Sequence, residues 1–265
     1  MMRKTLLIAA TAALLPLAAQ AHMNWLLPNS TVAAGKEAVI VVDASTSEDL
    51  FTFERALKLE QITITGPGGL KLEAQNRSAG RNRESFELSL PSAGSYRISN
   101  VSSALMGSYK LNGETKRFRG AVSEIPADAE VVSLVQMSNR QQTFVSREEP
   151  GKIDFAPEGA GLELLPLDAV TDLSNGDRTR FRLLLDGKPV ADSAITLRRG
   201  GNRYRYKMGE ITLKTDAKGE FTVEWTEPGA YWIGANVGER AMNGGTREKP
   251  MQRASVTATV EVLPR

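Results

Sequence analysis

The segment Phe86-Glu-Leu-Ser-Leu-Pro-Ser-Ala-Gly94-Ser-Tyr96-Arg-Ile98 recurs at a fixed offset as Phe221-Thr-Val-Glu-Trp-Thr-Glu-Pro-Gly229-Ala-Tyr231-Trp-Ile233. In each copy an alternating strand runs into a Pro/Gly corner. A tyrosine two residues past the glycine opens the next strand, where its ring can pack and its hydroxyl can find a partner. The repeat predicts one β-sandwich in each half of the chain; taken alone, the same spacing is also what ordinary strand–turn–strand chemistry produces. The rest of the sequence follows period two rather than 3.6, with no long amphipathic helix competing. Strands are expected over 37–42, 61–65, 84–90, 96–101, 162–167, 179–185, 195–199, 220–225 and 255–263. Asn112-Gly113, between Ser108–Leu111 and Glu114–Arg119, predicts a type I′ hairpin, and Asp186-Gly187 a second one. Many short strands with closely spaced turn signals mean an all-β sandwich or barrel.

A length of 265 residues suits two domains. The charged Pro-Gly stretch Ser146-Arg147-Glu148-Glu149-Pro150-Gly151-Lys152 reads as the linker, giving an N-terminal domain over 22–147 and a C-terminal domain over 148–265. Residues 1–21 read as a signal peptide: Met1-Met2-Arg3-Lys4 is a basic start, Thr5 to Ala18 is almost wholly apolar, and Ala19-Gln20-Ala21 is a small-residue cleavage pattern. The apolar run is too short, and broken by Pro16, for a membrane span. Without Arg3 and Lys4 the basic and acidic side chains are equal in number, which argues against a nucleic-acid partner held by bulk charge. Signal peptide and absence of cysteine together suit a bacterial periplasm.

The absence of cysteine and the presence of one histidine remove disulfides, thiolate nucleophiles, cysteine-based metal sites and the HExxH helix. No nucleophile elbow or phosphate-binding loop is present, Gly66-Pro67-Gly68-Gly69 reads as a tight turn, and the paired Glu148-Glu149 falls in the linker. The chain is therefore expected to be non-catalytic and to need no organic cofactor.

His22 carries the one specific chemical argument. Cleavage after Ala21 makes it the first residue of the processed chain, where a free α-amine and an imidazole chelate one ion, favouring Cu(II), Ni(II) or Co(II). Cleavage after Ala19 instead places His22 third, so that amine, backbone amides and imidazole wrap a square-planar ion. The bland alternative is a frayed terminus. Met23, Asp43, Glu48 and Asp49 are weaker candidates to complete such a site, although Asp43 and Asp49 read first as strand-exit and turn residues. Two basic–aromatic stretches, Arg198 through Lys207 and Lys116 through Gly120, read as half-buried strands with solvated basic faces; in the first, Arg203, Arg205 and Lys207 share one face and Tyr204 and Tyr206 the other.

Ala21-His22-Met23-Asn24-Trp25-Leu26-Leu27-Pro28, the run Asp43 through Phe51, Tyr109 through Glu114 with Lys116 through Gly120, and Gly161-Leu162-Glu163-Leu164-Leu165-Pro166-Leu167 together resemble the domain-of-unknown-function 4198 family. Phe181 through Val190, Thr215 through Phe221 and Pro228-Gly229-Ala230-Tyr231-Trp232 extend the resemblance into the second half. Members are often labelled a periplasmic component of nickel/cobalt uptake. The resemblance implies a C-terminal Ig-like or carboxypeptidase-regulatory-like sandwich, which with the repeat gives an expected fold of two tandem sandwiches of that kind, together with a transition-metal role resting on His22 and an outer-membrane receptor or ABC transporter components as partners. This chain departs from the pattern at Phe53-Glu54-Arg55 and Asp168-Ala169-Val170, where relatives often carry further histidines. The alternative function is a metal-independent structural or interaction module of the cell envelope.

Overall fold

The computed structural model describes residues 22–151, 153–205, 209–238 and 244–265. The expected leader, residues 1–21, and Lys152 lie outside the described residues. The first part of the chain forms β1 (Met23–Pro28), β2 (Val32–Ala33), β3 (Val39–Ser47), β4 (Arg55–Ala56), β5 (Gln61–Thr65), β6 (Lys71–Leu72), β7 (Gln75–Ala79) and β8 (Glu84–Ser89). Two long strands follow, β9 (Gly94–Leu111) and β11 (Glu130–Arg147), with β10 (Glu114–Arg119) between them. The second part forms β12 (Leu162–Pro166), β13 (Leu173–Ser174), β14 (Arg178–Leu185), β15 (Lys188–Pro189), β16 (Ala194–Arg199), β17 (Ile211–Lys214), β18 (Glu220–Glu224), β19 (Gly229–Gly238) and β20 (Met251–Leu263). The hairpin turns are where the sequence puts them: Asn112 and Gly113 have φ of 53° and 82°, and Asp186 and Gly187 have 50° and 74°.

These strands make three sheets. An outer sheet runs β1-β3-β8-β7 with β4 on β3, and a second outer sheet runs β12-β14-β15 with β18 on β14. Between them lies one sheet in the order β17-β16-β19-β20-β11-β9-β5-β6, with β10, β13 and β2 on its margins. Its two halves are joined by a parallel ladder between β11 and β20, from Val135 beside Met251 to Thr143 beside Thr259. The first outer sheet packs Leu26, Ile40, Val42, Phe86 and Leu88 against Tyr96, Ile98 and Val145. The second packs Leu164, Phe181, Leu183 and Val223 with Phe144, Ile195, Ile233, Val256 and Val260. Phe144 and Val145 are neighbours on β11 and so point to opposite faces. The chain is thus all-β, two sandwiches built on opposite faces of a shared sheet.

The sequence repeat is the corner at which each half crosses from outer to shared sheet. Gly94 and Gly229 have φ of 122° and 138°, and Phe86 and Phe221 are both buried. Tyr96 donates to the carbonyl of Ser92 at 2.5 Å and Tyr231 to that of Glu227 at 2.8 Å, a tyrosine corner in each sandwich. Each sandwich also buries a tryptophan whose indole N–H is satisfied, Trp25 on Ser47 Oγ and Trp225 on Thr179 Oγ1, both at 2.9 Å.

The sequence-predicted linker is only partly a linker. Ser146 and Arg147 end β11, buried, and the Arg147 guanidinium donates to the carbonyls of Leu90 and Pro91 at 3.0 and 2.8 Å. The connection that follows is fastened by ions. Arg97 lies 3.2 Å from Glu158, Arg140 pairs with Glu158 and donates to the carbonyls of Ala160 and Leu162, and Glu163 receives the N–H groups of Glu158 and Gly159 at 3.0 and 3.2 Å. Burial pushes the Arg97 guanidinium below its usual value, and the carboxylates of Glu158 and Glu163 oppose that shift. Removing one member of such a cluster strands a buried charge. Arg140→Ala is expected to lower unfolding free energy by about 3–5 kcal/mol in urea titrations.

Candidate functional site

His22 lies just before β1, and the strand register decides what it meets. Met23 pairs with Ser47 across β1 and β3, so continuing the antiparallel ladder by one residue sets His22 against Glu48. The imidazole Nε2 is 3.5 Å from Glu48 Oε1, and both side chains are about half exposed. The loop carrying Glu48 is held by Glu54, whose carboxylate accepts the N–H groups of Glu48 and Asp49 at 3.0 and 3.2 Å. The Glu48 amide is the largest cause holding the Glu54 carboxyl below the ordinary glutamate range; His22 and Arg203 add to it and partial burial opposes it. Phe51 and Phe53 of the same loop pack on Trp25 with ring centroids 5.5 and 5.4 Å away.

The other sequence candidates are placed differently. Met23 is buried, and its Sδ receives an Arg198 N–H at 3.3 Å. Asp49 is engaged by Thr52 at 3.2 Å and by Arg203 at 3.3 Å. Asp43 pairs with Leu27 along the ladder, four residues beyond Ser47 and so roughly 13 Å further along the strand. There it faces Arg83 at 3.5 Å; burial raises its carboxyl above the usual range and Arg83 counteracts. The structure therefore brings His22 together with Glu48, and leaves Asp43 elsewhere on the sheet. Among the described residues no three His, Asp or Glu side chains converge as a metal-holding set.

The basic stretch after β16 is not the alternating strand the sequence predicts. Gly201 takes a left-handed φ of 79° and residues 202–204 coil into a single 3-10 turn. Gly200 sits against Phe51, where a Cβ would come within 2.6 Å of the ring. Arg205 folds back onto the carbonyls of Arg199 and Gly200 and onto Asn202 Oδ1, while Tyr204 is exposed; Tyr206 and Lys207 lie outside the described residues. On β10, by contrast, Lys116, Arg117 and Arg119 are solvated as expected, with Phe118 packed on Tyr109.

Beside His22 a cleft of about 380 Å³ opens between β1 and the exposed face of the shared sheet. Asn24, Asn139, Gln141, Thr196 and the Arg198–Glu210 pair line it, with Trp232 as a wall. Arg198 Nε donates to Glu210 at 2.7 Å. The Trp232 indole lies across Gly234, where a Cβ would be 2.1 Å from the ring, and its N–H donates to the Asn24 carbonyl at 3.0 Å. Asn139, Gln141 and Trp232 are the residues sequence reasoning missed. The one available signal was the polar run 138–143, too polar for a surface-facing strand of ordinary alternation.

The family model described as a domain of unknown function (DUF4198) matches residues 19–239. The chain belongs to that family. No curated protein matches the chain. Among solved structures, the D0-D1 domain of intimin is similar at 15% identity, over 89% of this chain and 97% of that one, with a TM-score of 0.22. Trypsin-activated alpha-2-macroglobulin from Escherichia coli is similar at 16% identity, over 90% of this chain and 16% of its own, with a TM-score of 0.22. A bacterial ice-binding adhesin is similar at 11% identity, over 91% and 65%, with a TM-score of 0.25. Among the described residues no helix is long and apolar enough to cross a membrane.

Glu54 is a titratable anchor of this DUF4198 loop. Its folded value lies below the ordinary 4.5, so the stability it contributes is present above 4.5 and is lost as pH falls through the lower folded value. Glu54→Gln is expected to flatten that acid limb of a stability-against-pH curve; a limb identical to the parent's would show that the carboxylate does not anchor the loop.

Proposed function

We propose that this DUF4198 protein is an exported, non-catalytic binding protein of the bacterial periplasm that takes a divalent transition metal ion, nickel, cobalt or copper, as cargo at its processed N-terminus. One observation carries the reading: the imidazole of His22 stands 3.5 Å from the Glu48 carboxylate at the edge of a polar cleft. A nitrogen and an oxygen donor thereby stand side by side just past the paired ends of β1 and β3. With processing after Ala21 the α-amine adds a second nitrogen on the same residue, completing a partial shell suited to borderline metals. The role is delivery, with an outer-membrane receptor or ABC transporter components as the partners to be sought.

A second reading, a metal-independent interaction module of the envelope, draws on the exposed Tyr204 and the solvated basic strand β10. Arg203 and Arg205 serve it poorly, because one is paired with Asp49 and the other braces its own turn.

Intact mass of the processed protein followed by competitive titration separates the two. A start at His22 with submicromolar Ni(II) or Cu(II) binding that weakens at least tenfold in His22→Ala, and several-fold in Glu48→Gln, is the expected result. Equal binding by the parent and His22→Ala would leave the interaction module as the better account.

A further inference from the structure

The cleft beside His22 presents hydrogen-bond donors, and the reason lies in how its amides are oriented. Asn100 is fixed first, because its Oδ1 accepts the Glu60 N–H at 3.0 Å and its Nδ2 donates to the Lys58 carbonyl at 3.2 Å. The same Nδ2 donates to Gln141 Oε1 at 3.0 Å, so the oxygen of Gln141 is committed. Gln141 is only 1% exposed and lines the cleft, which leaves its NH2 as the polar group turned there. Asn139 follows suit, its Oδ1 taken by the Ser255 hydroxyl at 2.7 Å, and Asn24 Oδ1 is taken by Thr46 at 2.7 Å. Three amides thus have their carbonyls occupied by neighbours, and among the described residues no acceptor takes their N–H groups. Arg198, held by Glu210, adds guanidinium donors at the margin.

A donor set of this kind, with Gln141 buried and Asn24, Asn139 and Arg198 half-buried, wants acceptor oxygens. At the same margin His22 and Glu48 offer two side-chain donors to a metal, or three counting the α-amine, fewer than the four to six that Ni(II) or Cu(II) fills. The two deficits are complementary. We infer that the cargo is taken as a complex with a small polycarboxylate chelator: His22 and Glu48 hold the metal, chelator oxygens fill its remaining positions, and the free carboxylate oxygens accept from Gln141, Asn139, Asn24 and Arg198. A volume of about 380 Å³ is of the order that small-ligand sites occupy. This inference rests on the metal reading above and specifies the form in which the metal arrives.

The test is native mass spectrometry of the processed full-length protein with Ni(II) alone, citrate alone, and Ni(II) with excess citrate. The expected result is a 1:1:1 protein–nickel–citrate species, with citrate alone bound at least tenfold more weakly. Gln141→Leu should keep nickel binding within about twofold while losing the ternary species at least tenfold. Because Gln141 is buried, Asn139→Asp, which replaces a donor with a repelling carboxylate and keeps the Ser255 acceptor, serves as the second variant and should lose the ternary species likewise. If citrate strips nickel from the protein with no ternary mass, or both variants retain that mass, the chelate inference is overturned and the metal reading stands. If citrate binds equally without nickel, the chelate inference is also overturned. If neither nickel nor its citrate complex binds, the metal reading itself falls.

Discussion

The parallel ladder between β11 and β20 is the constraint on which the rest of the molecule depends. Two sandwiches joined by a free linker would each close their own sheets; here both build on one sheet and approach it from opposite sides. β11 is therefore covered on both faces along its lower half. Its side chains alternate between one hydrophobic core at Val145 and another at Phe144. The connection from β11 to β12 runs back over one face of the shared sheet, and buried Arg97 of β9 and Arg140 of β11, with Glu158 and buried Glu163, fasten it there. Such a cluster contributes little net stability relative to an apolar replacement, whereas removing one member leaves its partner's charge uncompensated.

The candidate site inherits its geometry from this arrangement. β1 is the margin of the first outer sheet, and its ladder with β3 ends at Met23 beside Ser47, so that His22 and Glu48 meet just past the strand ends. Because β1 also lies over the shared sheet, the Asn24 carbonyl receives Trp232 of β19 and Thr257 of β20. The cleft next to His22 accordingly has one wall from each half of the molecule and a floor made by β11, so neither sandwich alone would form it. The Gln141 amide in that floor is oriented by a relay from the Glu60 backbone through Asn100, its register partner, and the Asn139 amide by the Ser255 hydroxyl.

Much of the architecture was legible in the sequence because it is written in local chemistry. The repeated Phe, Gly and Tyr positions marked both crossover corners, and the Asn-Gly and Asp-Gly pairs marked their hairpins. The longest strands were the hardest to see. β11 carries Ser138-Asn-Arg-Gln-Gln-Thr143 through its middle, and Arg140, Gln141, Gln142 and Thr143 are buried with hydrogen-bond partners on distant segments instead of alternating between oil and water. That pairing is set by register across distant segments, which no window of sequence contains. The same holds for the site: His22 stood out as the single histidine, but the choice of Glu48 over Met23, Asp43 and Asp49 required the ladder. The basic stretch near Arg203 misled because the two glycines ahead of it end the strand and start a turn.

If the shared sheet makes the two halves one unit, they should unfold together. Differential scanning calorimetry of the protein is the most direct measurement. A single transition with calorimetric and van't Hoff enthalpies in agreement is the predicted result. Two resolved transitions, each with its own enthalpy and assignable to residues 22–147 and 148–265, would contradict the account and restore a picture of two sandwiches on a string.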